Sequence, residues 1–443
     1  MLLVAALALL AAACTGGADS TTSTLVSVTS PTRLLAEWVP ADLRPEGVLI
    51  ADTLTVAGDR LVVFEEIDGR QVSVWTSEDG RTWSPADDSV FPSGSHVLWA
   101  HGNEHGAVAI GWSGAPSWPP NPELPPVFDQ VWTTTDGLDW TAGEFTPVLP
   151  PSTQYLEWYT EVTSALAYQD GFLLVGQARW FVDGNAIGAD LGLSDGDIIA
   201  IPSLTEGGGC TIEGIFRDGE AAFTVPCSDY GIDPGVDDIF TSQPPLLAVG
   251  SGDGNWEYLD TIGLESVPVI GAGVGPDGVS LFSVPKFDTP RYWTSVDLRT
   301  WQTVEGIPGI EAEAVYSMQS WRDGWVADIG YEAVEGGELW WTRLGATWTN
   351  AGIKGMHGPY GVGEFGLVTV VASPDDSESI ELWFTPDGVT TAVFDAGELF
   401  GPDAVVDGFA VGSDSVAAAV STFTESADYP WVAKIWVGIP AGG

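Results

Sequence analysis

Short apolar runs of four to seven residues, separated by Gly, Asp, Asn and Pro, recur along most of the 443-residue chain. Phe172-Leu173-Leu174-Val175 follows Gln169-Asp170-Gly171, and Trp325-Val326-Ala327 follows Arg322-Asp323-Gly324. Asp407-Gly408-Phe409-Ala410-Val411 reads as a third turn followed by an apolar strand. Runs this short, bounded by turn residues, predict strands rather than helices. Only Leu2 to Ala13 is a longer uninterrupted apolar stretch.

A second pattern recurs on this background. Trp75-Thr76-Ser77-Glu78-Asp79-Gly80-Arg81-Thr82-Trp83 returns as Trp132-Thr133-Thr134-Thr135-Asp136-Gly137-Leu138-Asp139-Trp140. It returns again as Trp293-Thr294-Ser295-Val296-Asp297-Leu298-Arg299-Thr300-Trp301, without the glycine. Trp340-Trp341-Thr342-Arg343-Leu344-Gly345-Ala346-Thr347-Trp348 replaces the aspartate, and Trp383-Phe384-Thr385-Pro386-Asp387-Gly388 lacks the second tryptophan. Ser251-Gly252-Asp253-Gly254-Asn255-Trp256 is a worn copy. Glycine tolerates a positive φ at such a bend, and Ser, Thr and Asp side chains accept backbone N–H groups there. The aspartates therefore read as turn locks, and the paired tryptophans as packing between neighbouring sheets.

Each unit is thus strand, turn, strand, variable loop, Trp-strand, Asp-Gly turn, Trp-strand. The later copies lie about 45 residues apart, the length of a four-stranded propeller blade. The expected fold is all-β: a seven-bladed β-propeller of four-stranded antiparallel blades, with six or eight blades as the alternatives. Blades are expected near residues 53–87, 95–145, 161–259, 265–305, 311–352, 357–398 and 402–440. The last lacks its final Trp-strand, which Leu34-Leu35-Ala36-Glu37-Trp38-Val39 is expected to supply from the N-terminal side. Closing the array in this way removes an exposed sheet edge.

Ser77-x-Asp79-Gly80-x-Thr82-Trp83 resembles the Asp-box (BNR) repeat of sialidase-like propellers, in a form one residue shorter between aspartate and glycine. The resemblance covers most of residues 53–398. It implies architecture rather than activity, because such boxes lie away from the sialidase pocket. That chemistry also requires an arginine triad, and Arg81, Arg299 and Arg343 fall in outer turns, while only Arg179 and Arg291 are placed to face a pocket.

Composition narrows the function. Against 62 acidic residues stand 14 basic ones, a formal charge of −48, which excludes a phosphate-binding surface and hence a nucleic-acid partner. With 44% hydrophobic residues and 11% aromatics the chain can bury a large core. Residues 1–13, ending Leu10-Ala11-Ala12-Ala13 before Cys14, are too short to span a bilayer and suit a signal-peptide core. Small residues before that cysteine resemble the lipobox of bacterial lipoproteins, although no Lys or Arg follows Met1. The resemblance implies lipidation at Cys14, a tether over residues 14–32, a β-propeller from 33 to 443, and an extracytoplasmic protein held on the cell membrane. Setting Cys14 aside leaves Cys210 and Cys227, which flank a hairpin centred on Arg217-Asp218-Gly219 and are expected to form a disulfide. Such a bridge is worth roughly 3 kcal/mol in the chain-entropy model.

Chemistry is harder to find. His101-Gly102-Asn103-Glu104-His105 matches a metallopeptidase pattern that requires a helix, but its surroundings predict a hairpin turn. No catalytic residue and no metal site are singled out. Asp183, Asp190, Asp195, Asp197, Asp233, Asp237 and Asp238 make the third unit's insertion acidic; solvated loops are the expected reading and calcium the alternative. Insertions at 112–129 and about 180–245 interrupt adjacent units on one face. Trp118, Trp180, Phe181 and Tyr230 in them are the candidate ligand-binding residues, for a glycan or a protein partner. The expected function is a non-catalytic, monomeric envelope lipoprotein serving as a binding scaffold without a cofactor, with a sialidase-like glycoside hydrolase as the alternative.

Overall fold

The computed structural model describes residues 34–443 except 69–70, 113–129, 145–155, 169–170, 194–197, 205–209, 217–219, 231–245, 261–262, 265–268, 270, 276–277, 284–290, 306–313, 322–323, 331–336, 344–346, 356, 373–379, 424–430 and 441–443. Arg33–Gly443 forms one compact unit, and it is nearly all-β. Among the described residues the strands pair into seven antiparallel sheets, six of them four-stranded.

In chain order the first sheet holds Val48–Ala57, Arg60–Ile67, Gln71–Ser77 and Ser84–Pro85. The second holds His96–Asn103, Gly106–Trp112, Gln130–Thr134 and Thr141–Glu144. The third is built on Leu156–Tyr168, Gly171–Val182, Leu246–Gly250 and Trp256–Tyr258, with three further strands from the insertion. The fourth holds Gly271–Gly275, Gly278–Ser283, Arg291–Ser295 and Gln302–Glu305; the fifth Ala314–Trp321, Gly324–Gly330, Gly337–Arg343 and Thr347–Gly355. His357–Val362, Leu367–Ala372, Ile380–Thr385 and Ala392–Asp395 make the sixth. In the seventh, Ala404–Val411, Val416–Phe423 and Trp431–Pro440 are completed by Leu35–Pro40 from the other end of the chain. That strand runs antiparallel to the last, with Trp38 opposite Gly438 and Pro40 opposite Trp436. Ala41 N then donates to Ile435 O at 2.9 Å and Asp42 N to Arg81 O at 2.8 Å, linking the seventh sheet to the first.

Apolar side chains on both sheet faces are buried between neighbouring sheets. Phe64, Val72 and Val74 of the first sheet pack with Ala107, Ala109, Trp132 and Trp140 of the second. Val108 and Ile110 of the second meet Phe172 and Leu174 of the third, whose Leu173 and Leu247 meet Val279, Leu281 and Trp293 of the fourth. Phe282 of the fourth lies 5.0 Å from Trp325 of the fifth, ring to ring. Val326 and Leu339 of the fifth join Leu367 and Val371 of the sixth, and Val368 and Phe384 of the sixth join Val416 and Ala418 of the seventh. Finally Leu61 and Val63 of the first sheet pack with Ala417, Ala419 and Ile435 of the seventh. The contacts form a cycle, and the first strands of successive sheets adjoin in the same cyclic order.

Trp38 shows how the chain ends are held. It is 5% exposed and meets Phe400 edge-on at 6.1 Å, while Phe400 meets Trp436 at 5.1 Å. Trp38→Ala is expected to cost about 3–5 kcal/mol, as large-to-small core changes of an aromatic do. The exposed Phe423 on the same sheet provides the control, with Phe423→Ala within about 0.5 kcal/mol of wild type. Urea unfolding of both variants tests this; a Trp38→Ala midpoint as mild as the control's would remove the N-terminal strand from the folded core.

Candidate functional site

At one end of the sheets lie the recurring turns. Asp79 Oδ1 accepts the backbone N–H of Arg81 and of Thr82 at 2.8 Å each, and the Ser77 hydroxyl at 3.1 Å. Asp136 does the same for Leu138 N at 2.9 Å, Asp139 N at 3.0 Å and the Thr134 hydroxyl at 3.1 Å. In the fourth sheet Asp297 holds Arg299 N, Thr300 N and the Ser295 hydroxyl, and in the sixth Asp387 holds Val389 N, Thr390 N and the Thr390 hydroxyl. Gly388 N there donates to the Thr385 hydroxyl. Even the worn copy keeps the lock, with Ser251 Oγ and Asn255 N both donating to Asp253.

Glycine is needed at the bend for both φ and space. Gly80 has φ 71°, and an added Cβ would sit 3.0 Å from Val437 of the seventh sheet; Gly137 has φ 75°, with Val62 of the first sheet at 2.9 Å. Leu298 takes the same conformation, φ 60°, without being glycine. Burial of its side chain in the core between the third and fourth sheets offsets a left-handed cost of roughly 1–2 kcal/mol. The closing tryptophans Trp83, Trp140 and Trp301 all pack into the core shared with the preceding sheet in the cycle. Trp83 Nε1 donates to Gly80 O at 2.7 Å and Trp301 Nε1 to Leu298 O at 3.0 Å.

The first strands of the seven sheets enclose two adjoining cavities of about 480 and 670 Å³. Val56, His101, Gly102, Gln319, Val362 and Val411 line both. The smaller lies at the turn end, beside Asp59, Glu104 and Glu364. The larger lies at the opposite end, where the second-to-third strand connections and the insertion emerge, and is lined by Asp52, Trp99, Thr163, Asp328, Tyr360 and Asp407 among others.

Interruptions in the strand ladders place these residues. Six of the seven first strands shift register: between Ile50 and Thr55, Val97 and Trp99, Val162 and Ser164, Val315 and Ser317, His357 and Tyr360, and Val406 and Gly408. Asp52, Leu98, Thr163, Pro359 and Asp407 fall in these gaps and line the larger cavity. A bulge leaves its residue out of the ladder and re-aims its side chain. In the first sheet Thr53 covers the gap with its own side chain: Oγ1 donates to Ile50 O at 2.6 Å and accepts Phe64 N at 2.9 Å.

Asp407 is pushed above the ordinary carboxylate range by burial and by the charge of Asp52, against hydrogen bonds from Ser421. One of its oxygens, Oδ2, is shielded and accepts no hydrogen bond among the described residues. His101 presents its ring to the cavity, 4.7 Å from Trp99 in an edge contact. Desolvation by the protein around its ring lowers the His101 pKa and favours the neutral imidazole.

None of the described residues expected to bind ligand lines either cavity. Trp118 lies outside the described residues, as do Asp195, Asp197, Asp233, Asp237 and Asp238. Trp180 and Phe181 are strand residues rather than insertion-loop residues, opposite Trp158 and Glu157, because the hairpin of Leu156–Tyr168 with Gly171–Val182 runs on to Val182. Tyr230, half-buried, belongs to the insertion. It ends a short 3-10 turn, Cys227–Tyr230, and packs on the insertion's own core of Val182, Ile187, Ile212 and Cys227.

The described part of that insertion is a folded module. Strands Ile198–Leu204, Cys210–Phe216 and Ala221–Pro226 pair in order, and the Cys210–Cys227 disulfide closes the hairpin base with Cα atoms 5.4 Å apart. A helix, Gly184–Asp190, is capped by Asp183, whose carboxylate accepts Ala186 N at 3.0 Å. Asp183 is thereby committed to the helix, and no cluster of three metal-ligating side chains occurs among the described residues.

His101 and His105 lie on a hairpin, not a helix: His96–Asn103 turns into Gly106–Trp112, with Asn103 Oδ1 accepting His105 N. One turn expectation is also corrected. Asp407-Gly408 lies inside the strand Ala404–Val411 as a bulge, and the actual turn is closed by Gly412 N donating to Ser415 O. An Asp-Gly pair satisfies a bulge as readily as a hairpin bend, so sequence alone read the site residue as a turn residue. Asp52 carried a weaker signal, a lone carboxylate in the apolar stretch Val48 to Val56.

No protein-family model matches the sequence, and no curated protein matches it. Solved structures with similar chain paths include the acylaminoacyl peptidase of Pyrococcus horikoshii (12% identity, 86% of this chain, 58% of that chain, TM-score 0.36). The β-propeller domain of the trilobed protease from Pyrococcus furiosus is another (9%, 80% of this chain, 99% of that chain, 0.36). Trypanosoma rangeli sialidase with the inhibitor DANA is a third (13%, 93% of this chain, 60% of that chain, 0.33). The chain thus spans about three-fifths of the length of the peptidase and of the sialidase. These scores are low, and the architecture rests on this chain's own strand pairings and packing.

The turn locks give a pH signature. Backbone N–H groups of Thr300 and Arg299 hold Asp297 at about 2, below the ordinary 3.8, and the hydroxyl of Ser251 with Asn255 holds Asp253 at about 2. A carboxyl lowered in the folded state contributes stability above its unfolded value, and this is lost as pH falls through the folded value. The melting temperature of wild type is therefore expected to drop between about pH 4 and pH 2, and Asp297→Asn to melt lower at neutral pH. The gap between the two should narrow over that acid window; a gap that stays constant down to pH 2 would mean that Asp297 does not act as an ionised lock.

Proposed function

We propose that this chain is a closed, seven-bladed β-propeller that acts as a non-catalytic binding scaffold, taking its ligand in the larger cavity at the insertion end. The cyclic packing of seven sheets, with the two chain ends paired in the last of them, supports the closed ring. One observation carries the binding reading: residues in the ladder gaps of five first strands converge on a single cavity of about 670 Å³. That volume suits a small ligand. Repeated interruption of a regular ladder at the same level costs backbone pairing, and a scaffold needs it only if the re-aimed side chains have a task.

The described lining is carboxylate, amide, imidazole, aromatic and aliphatic. Such a wall suits a neutral polar or cationic ligand, whereas hydrolysis of sialosides needs cations to hold the substrate carboxylate. This supports the scaffold over the hydrolase. Lipidation at Cys14, with a tether to residue 32, belongs to the same proposal and sets the scaffold on the outer side of the bacterial cell membrane, as a monomer with no nucleic-acid partner. The reported likeness to a sialidase bears on chain path and not on substrate.

A ligand-observed NMR screen of the full chain against soluble glycans and small polar molecules tests the site. Hits should weaken by about tenfold or more in Leu98→Trp, which fills the cavity, and stay unchanged in Trp180→Ala and Tyr230→Ala. Hits that ignore Leu98→Trp but disappear in the other two variants would move the site back to the insertion.

A further inference from the structure

We propose that the larger cavity is selective for an organic ammonium ion, a protonated amine or a quaternary ammonium. This deepens the scaffold reading and rests on it. Asp52 and Asp407 enter from two neighbouring sheets, the first and the seventh, and Asp328 from the fifth. Trp99 and Tyr360 contribute aromatic walls, and His101 lies where the two cavities meet. Neither lysine nor arginine occurs among the described residues lining either cavity.

Carboxylates of one sign lining a cleft focus a negative potential, which disfavours anions and concentrates cations. A metal ion would need several oxygens converging within coordination distance, and no group of three suitable side chains does so among the described residues. The carboxylates come instead from the first, fifth and seventh sheets, with Trp99 on the second and Tyr360 on the sixth. That arrangement fits an organic cation, which aromatic rings attract as well as carboxylates. Asp407 provides a separate pointer. Its Oδ2 is shielded from solvent and accepts no hydrogen bond among the described residues, so the protein compensates the charge of this cavity-lining carboxylate only in part. Such an oxygen is costly without a compensating positive charge nearby.

The test is calorimetric titration of the full chain with choline, with its uncharged tert-butyl analogue and with spermidine, at neutral pH. Choline or spermidine is expected to bind at millimolar concentration or below, and the neutral analogue at least about tenfold more weakly than choline. Asp52→Asn and Asp407→Asn should each weaken the bound cation by about tenfold, and Trp99→Ala by several-fold. Asp59→Asn, in the other cavity, should leave binding within about twofold of wild type. Asp52 is exposed and outside the sheet ladder, so Asp52→Asn decides the matter if Asp407→Asn does not fold.

Absence of binding by both cations, equal binding of choline and its analogue, or affinity indifferent to Asp52→Asn would each overturn the proposal. A neutral ligand that is lost in Leu98→Trp but unaffected by Asp52→Asn would overturn this inference alone and leave the scaffold reading in place.

Discussion

The apolar contact between one sheet and the next is the constraint on which the rest of the structure depends. A four-stranded sheet whose two faces both carry Val, Leu, Ala and Trp cannot stand in water alone, and here each face is covered by a neighbouring sheet. The arrangement is complete only because the seventh sheet also covers the first, through Ala417, Ala419 and Ile435 against Leu61 and Val63. Every other feature works within that cycle. The N-terminal strand supplies the last sheet's missing partner, and the closing tryptophans fill the wedge between sheets where the strands splay apart. The turns fix the spacing at which adjacent sheets meet.

Most of this architecture is legible in the residues, because both the packing and the turns impose a repeating requirement. Trp132 and Trp140 recur eight positions apart for the same reason as Trp75 and Trp83: two adjacent strands joined by one tight turn bring both indoles to the same gap. Leu35 to Val39 is a short apolar-rich run that precedes the first repeat with no partner of its own, and the incomplete last repeat is where it pairs. The disulfide is legible by elimination and by the hairpin between its cysteines.

The candidate site is far less legible. A cavity at the centre of seven sheets is assembled from positions more than three hundred residues apart, such as Asp52 and Asp407, and no local pattern reports it. Bulges add to the difficulty. They break the two-residue alternation by which a strand face is read, so Asp407 looks like a turn residue and Asp52 like an interruption. Aromatics in long insertions draw attention instead, yet neither Trp180, Phe181 nor Tyr230 is among the described residues lining the cavity.

The same side chain performs two opposite tasks at the two ends of these sheets, and the donors around it decide which. At the turn end Asp79, Asp136, Asp297 and Asp387 each accept two backbone N–H groups, and these outweigh burial to keep the carboxylate ionised in place. A carboxylate so satisfied has little left to offer a ligand. At the insertion end Asp407 stands in a broken ladder, partly shielded, facing another negative charge, and its affinity for a proton rises rather than falls. A group in that state gains by any cation that approaches it. Aspartate abundance across the chain is therefore uninformative about binding; what separates a lock from a recognition group is whether the backbone has already supplied the hydrogen bonds.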